Sequence, residues 1–228
     1  MSSFPGTLLL SLAVPLHRSD GVLYLEDQAC NGLNLWAQHF DRLIVLIPEA
    51  AGPPPPSWVP LERVGAAMER IELVILPEAW RPDRFLRALP AAMPRIRDAI
   101  GRADLLGFAI GGLFGDWGSA AAWTAHRMGK PFYIWTDRVE SQVLRRGLAA
   151  MPWRRRLRFS AEVPVIAWNE RALIRRAALG LFHGQETFEA YAPYCRNPQL
   201  VHDVHIKRED HIAADALAAK IASASAGP

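Results

Sequence analysis

Leu105-Leu106-Gly107-Phe108-Ala109-Ile110-Gly111-Gly112-Leu113-Phe114-Gly115-Asp116 is an apolar run that breaks into glycines and an aspartate, and its reading decides the fold. A run this short and this apolar suits a strand buried on both faces, as the strands of a parallel sheet are. The glycines that follow supply the backbone freedom of a strand-to-helix turn. The same pattern recurs along the chain. Apolar runs at 8–14, 43–47, 71–76, 132–135, 179–182 and 200–204 alternate with longer segments of helical period, and 59–64 reads as a weaker edge strand. The expectation is an α/β fold, a single Rossmann-like, doubly wound, mostly parallel sheet of six to seven strands with helices on both faces.

Between the first two runs, Leu33, Trp36, Ala37 and Phe40 recur at helical spacing, which predicts one helix packed on the sheet and makes a βαβ unit. The tract Gly52-Pro53-Pro54-Pro55-Pro56 cannot be helix or ladder strand, because proline lacks the donor and fixes φ; it predicts a stiff surface loop. Val165, Trp168, Ala172 and Leu173 form a second stripe, behind a Pro164 suited to a helix N-terminus. The segment 212–221 is alanine-rich and predicts a helix, and 223–228 reads as a small-residue linker. The domain expectation is therefore one unit over 1–208, followed at 209–228 by a helix and linker.

The 228 residues suffice for one large domain, and the 26 Lys and Arg against 23 Asp and Glu leave a net charge of only +3. That excess does not point to nucleic acid, which calls for a clustered basic face. Cys30 and Cys195 stand far apart with no paired-ligand spacing, so neither a zinc site nor a disulfide framework is expected, and a reduced cytoplasmic setting fits. The run before Pro15 lacks the basic residues that open a signal peptide, and no stretch reaches the about eighteen apolar residues that span a bilayer.

Ligands of open parallel sheets bind at the carboxyl ends of the strands, where loops and helix N-termini converge. This selects His17-Arg18-Ser19-Asp20-Gly21, Gly111 to Asp116, Thr136-Asp137-Arg138 and His183-Gly184-Gln185-Glu186. The glycine spacing G-G-x-x-G-x-x-G departs from the dinucleotide fingerprint, and no P-loop or G-x-S-x-G elbow occurs. Asp137 either accepts a proton and hydrogen-bonds sugar hydroxyls or caps the helix beginning near Val139. His183 and Glu186 either contact ligand or serve the fold. His202, Asp203 and His205 look like metal ligands, yet residues three apart on a strand face opposite ways, so no metal site is expected.

The segment Trp153-Arg154-Arg155-Arg156-Leu157-Arg158-Phe159 combines arginines with bulky apolar groups. It is either an interfacial segment touching an anionic membrane through Arg154, Arg155, Arg156 and Arg158, or a solvated helix whose Trp153 and Leu157 pack on the domain. Stacking of Trp153 on nucleic-acid bases is a weaker third reading.

The stretch Leu179-Gly180-Leu181-Phe182-His183-Gly184-Gln185-Glu186, continuing through Tyr191-Ala192-Pro193-Tyr194 to Val201-His202-Asp203-Val204-His205, resembles bacterial family-4 glycosyltransferases. Tyr133-Ile134-Trp135-Thr136-Asp137-Arg138-Val139-Glu140 and the first βαβ unit are similar too. The resemblance implies the N-terminal, acceptor-side domain of the two-domain glycosyltransferase-B architecture. Its activity would be transfer of a sugar from a nucleoside diphosphate sugar to a carbohydrate or lipid-linked hydroxyl acceptor in glycan or polysaccharide biosynthesis, without metal or cofactor. It implies Asp137 as the catalytic group, in place of a histidine many relatives carry there. Gly21, Gly111, Gly112, Thr136, Arg138, His183, Gly184 and Glu186 would bind substrate.

A separate C-terminal domain would hold the donor and the family's Glu-x7-Glu motif. Glu162 and Glu170 share that spacing but flank a first-domain helix and are not mapped onto it. The expected location is the cytoplasm, with peripheral contact at the inner membrane. A non-catalytic carbohydrate-binding module, or a split-subunit partner of a separate donor domain, is the alternative.

Overall fold

A computed structural model describes residues 4–202 and 212–225. Its centre is a parallel sheet of β1 (Phe4–Ser11), β4 (Phe40–Ala50), β6 (Ile71–Pro77), β7 (Leu105–Ala109), β8 (Tyr133–Thr136), β9 (Leu179–His183) and β10 (Pro198–Val201). Across the sheet they run β6-β4-β1-β7-β8-β9-β10, every neighbouring pair parallel. The order reverses between β1 and β7, which makes that junction the topological switch point. The apolar runs anticipated all seven strands; the last begins two residues early, and its expected end at 203–204 lies outside the described residues.

Alternation divides the core in two. Leu8 and Leu10 of β1 and Leu43, Val45 and Ile47 of β4 pack with Cys30, Leu33 and Ala37 of α1 (Asp27–His39) on one face. Leu9, Ile44 and Leu46 point the other way, against Ile96 and Ile100 of α2 (Pro82–Arg102), Trp117 and Ala121 of α3 (Trp117–Arg127) and Leu173 of α5 (Trp153–Ile174). Burial on both sides is why these strands tolerate no polar alternation. α4 (Glu140–Gly147) and α6 (Gln185–Tyr191) complete the crossovers after β8 and β9, and α7 (Ala214–Ser225) follows near the end.

Of three further short strands, the first two were not anticipated and the third was anticipated in part. β2 (Leu16–Ser19) and β3 (Val22–Glu26) form an antiparallel hairpin, and β5 (Trp58–Pro60) pairs with β3. Glu49 of β4 already pairs with Pro77, so Leu16 takes its other edge, and the hairpin continues the line of β1 past its carboxyl end. Asp20 and Gly21 both hold positive φ, at 49° and 81°, as a tight Asp-Gly hairpin turn requires. The expected loop 17–21 is thus largely strand. The edge run expected at 59–64 is strand only at its start and continues as a 3-10 segment from Leu61.

The α1 stripe buries Leu33 and Ala37, but Trp36 is partly exposed and Phe40 already opens β4. α5 differs more. It begins at Trp153, and Pro164 lies inside it, on an exposed face, where the missing N–H forfeits only the bond to a solvent-side carbonyl. Ala172 and Leu173 are buried as expected, whereas Val165 and Trp168 are exposed, because the sheet is met by the opposite side of the helix.

Candidate functional site

The loops after β7, β8 and β9 lie side by side along the carboxyl edge of the sheet. Ile110 N donates to Trp135 O at 3.3 Å, and Thr136 pairs with Phe182. The Trp135 and His183 rings sit 6.0 Å apart, and Thr187 Oγ1 donates to Asp137 O at 3.3 Å. Thr136, Asp137, Arg138, His183 and Gly184 are therefore brought together, with Gly111 and Gly112 one strand away. Gly21 stands apart on the hairpin beyond β1. Glu186 turns to the helix layer, where Arg146 Nη2 approaches its carboxylate at 2.7 Å.

The β7 loop is closed on itself. Asp116 caps α3, accepting from Ser119 N at 2.9 Å through Oδ1. Its Oδ2 accepts from Gly111 N at 3.1 Å, Gly112 N at 2.9 Å and the Ser119 hydroxyl. The two glycine amides that would have cradled a phosphate are thus turned inward onto a carboxylate, which repels anions. Gly118 has a packing role: a Cβ there would lie 1.8 Å from Ala109 O, so α3 approaches β7 only with glycine at this position. Gly115 holds φ at 78° against Ala79 and Trp80. A Cβ on Gly111 would meet nothing, which leaves its outer side open toward the edge.

The β8 loop is arranged differently. The sequence left Asp137 open between capping and chemistry; the structure removes the cap, since α4 starts at Glu140 with Val139 as N-cap and no side-chain capping bond. Glu170, buried on α5, takes over the first turn instead. It accepts from Ser141 N at 3.3 Å and Ser141 Oγ at 2.7 Å. Burial pushes the Glu170 carboxyl above the ordinary range, against the opposing pull of its bonds from Ser141 and Tyr191. Asp137 is left exposed at the edge.

Beside it, Arg138 Nε lies 2.7 Å from Glu140 Oε2. Burial raises the Glu140 carboxyl, Arg138 draws it back, and the charges of Asp137 and Asp116 raise it further. The loop thus carries two carboxyl groups in unlike surroundings, Asp137 exposed and Glu140 half-buried beside Arg138. Thr136 is buried, its hydroxyl donating to Arg138 O at 2.8 Å, so it shapes the turn. Gly184 has φ 79°, its N–H donates to Val201 O at 3.0 Å, and it opens α6.

A depression of about 220 Å³ flanks this loop, lined by Val139, Ser141, Arg145, Glu170, Arg171 and Tyr191 among others. Sequence reasoning did not single out Glu140 or Glu170 for these roles. Glu140 could have been found as the acid four residues past a strand end; nothing local signals Glu170. Among the described residues, no group of three or more His, Cys, Asp or Glu is placed to hold a metal ion. His202 is described there, whereas Asp203 and His205 lie outside the described residues.

No protein-family model matches the chain, and no curated protein matches it in sequence. Solved structures do resemble it. The structure of Phytolacca americana apo UGT2 matches with a TM-score of 0.50 at 11% identity, over 89% of this chain and 53% of that one. A UDP-glucosyltransferase from Polygonum tinctorium capable of glucosylating indoxyl, in complex with 3,4-dichloroaniline, gives 0.49 at 13% identity over 93% and 55%. A ugt transferase from Siraitia grosvenorii in complex with UDP gives 0.47 at 11% over 94% and 54%. The first match shows a shared fold, the parallel α/β sheet of the glycosyltransferase-B architecture. The chain spans about half the length of these structures.

Proposed function

We propose that this chain is the acceptor-side domain of a glycosyltransferase that moves a sugar from a nucleoside diphosphate sugar to a hydroxyl. The observation that carries the reading is the β8 loop. It keeps an exposed carboxylate, Asp137, at the carboxyl edge of a glycosyltransferase-B sheet while a distant glutamate serves the helix in its place. Fold alone would not suffice, since one fold hosts many activities.

In this reading Asp137 takes the proton of the acceptor hydroxyl as the new C–O bond forms. The anomeric carbon's bond to the diphosphate breaks, and the leaving group departs with the electron pair. Gly111 and Gly112 line the cleft by leaving space rather than by donating, because Asp116 holds their amides. Arg138, His183 and Gly184 meet the acceptor or sugar beside Asp137, and Thr136 holds the turn beneath them, with Gly21 farther off on the hairpin. Glu186 joins through the helix layer behind. The diphosphate is held mainly by a second α/β domain facing this edge, and the span 209–228 leads toward it. Membership of bacterial family 4 belongs to the same proposal.

Titration calorimetry of the chain with oligosaccharides and with UDP-glucose tests the division of labour. Binding of oligosaccharide without UDP-glucose is expected. Tight binding of UDP-glucose, or no binding of any hydroxyl-bearing sugar, overturns it.

A further inference from the structure

The crossover from β8 to β9 contains a helix longer than its packing needs. Residues 153–162 of α5 include none that is buried, and burial begins at Val163. Of these ten residues, about 15 Å of helix, eight are exposed and two, Phe159 and Glu162, are half-buried. Because β8 and β9 are parallel, α5 returns from the carboxyl edge toward the amino edge. Asn169 and Glu170 are the α5 residues that meet Gly112 and Ser141 at the carboxyl edge, so the exposed turns before Val163 project beyond it.

The bare turns are not merely polar. Trp153 is 70% exposed and Leu157 69%, and their line continues at helical spacing through Ala161 and Pro164 to Trp168, which is 63% exposed. The stripe, about 22 Å long, lies opposite the face of Val163, Ile166, Leu173 and Ile174 that meets the domain, and at its far end the Trp168 ring stacks on Trp123 of α3 at 6.2 Å. The expectation that Trp153 and Leu157 pack on the domain is overturned. Arg154, Arg156 and Arg158 flank the stripe, and Arg155, two residues from both Trp153 and Leu157, stands on the opposite side of the helix; Arg154 lies over the Trp153 ring at 5.2 Å, and of the four Arg158 is balanced, by Glu162 at 2.7 Å.

We infer that this helix docks on an anionic lipid bilayer, with Trp153 and Leu157 entering the interface and the arginines meeting lipid phosphates. Exposed apolar side chains flanked by arginines complement that surface in both hydrophobicity and charge. A second copy of the chain fits less well, since a two-fold contact would press the same arginines together. Among the described residues no helix is long and apolar enough to cross a membrane, so the contact is peripheral. The inference stands apart from the glycosyl-transfer reading, and its test involves no sugar.

The test is flotation of the full chain with vesicles of phosphatidylcholine alone and of phosphatidylcholine mixed with phosphatidylglycerol. Binding to the anionic vesicles only, weakened by added salt, is expected. The combined Arg154→Gln, Arg155→Gln and Arg156→Gln variant should lose on the order of 100-fold in partitioning at low salt. Trp153→Ser with Leu157→Ser should lose roughly 10-fold and the accompanying blue shift of tryptophan emission. Because these residues are exposed, the variants should melt like the parent, which separates lost docking from lost fold. Equal binding to neutral vesicles, no flotation, or flotation indifferent to either variant overturns the inference. Self-association or nucleic-acid retention that the variants abolish, without vesicle binding, also overturns it.

Discussion

The loops after β7 and β8 occupy neighbouring places on one sheet edge, and each leads into a helix through an aspartate, yet they use that aspartate in opposite ways. Asp116 gathers the amides of Gly111, Gly112 and Ser119 and the Ser119 hydroxyl. Asp137 makes no capping bond, because Glu170 supplies one to α4 from α5. A helix N-terminus needs an acceptor, but it need not come from the adjacent loop. When it comes from elsewhere, the local carboxylate is released for chemistry.

The comparison breaks most severely at the β7 side. Gly118→Ala would place a Cβ 1.8 Å from the backbone oxygen of Ala109 and 2.7 Å from Ser11 Oγ, and α3 would have to move off the sheet. A loss of about 4 kcal/mol or more, or failure to fold, is expected in urea denaturation. A loss under about 1 kcal/mol would mean that α3 docks more loosely than its geometry implies.

Asp116→Ala leaves four donors without their acceptor and should lose about 2–4 kcal/mol by the same measurement. It also tests the glycine amides: once freed, they should gain weak affinity for inorganic phosphate that the parent lacks.

This contrast marks what the sequence could convey. The seven parallel strands were legible because burial on both faces leaves a continuous apolar run, a local signal. The hairpin was equally local, in Asp20-Gly21 between apolar residues, but the polar 17–21 stretch was read as loop. α5 was started at Pro164 rather than Trp153, since proline suits a helix start and the turns before it carry no buried stripe to extend the pattern. The cap from Glu170 was not legible at all: its partner lies 29 residues away, and only the packing of α5 on α4 brings them together.

Glu170→Gln sharpens the β8 side through pH. The buried carboxyl binds its proton more tightly folded than unfolded, so the native state retains protons the unfolded chain has released. Stability therefore falls as pH rises from about 4.5, the ordinary carboxyl value, toward the raised value. The variant lacks this slope. It should be about 1 kcal/mol less stable than the parent at acid pH, through poorer bonding to Ser141, with the gap narrowing as pH rises. Glu140, raised in the same direction, should leave a residual slope in the variant. A gap that widens with pH would mean that Glu170 is charged in the folded state.

Asp137→Asn should change stability least, within about 0.5 kcal/mol, since the side chain is exposed and caps nothing. Its effect belongs to ligand: removing the charge while keeping the shape should weaken oligosaccharide binding about 10-fold, as loss of a charge-assisted hydrogen bond does. The two readouts must separate for the proposal to stand. If melting falls together with affinity, Asp137 supports the fold as Asp116 does and the two loops are alike after all. If neither moves, the carboxylate serves neither fold nor acceptor, and Glu140 becomes the group of the β8 loop to examine.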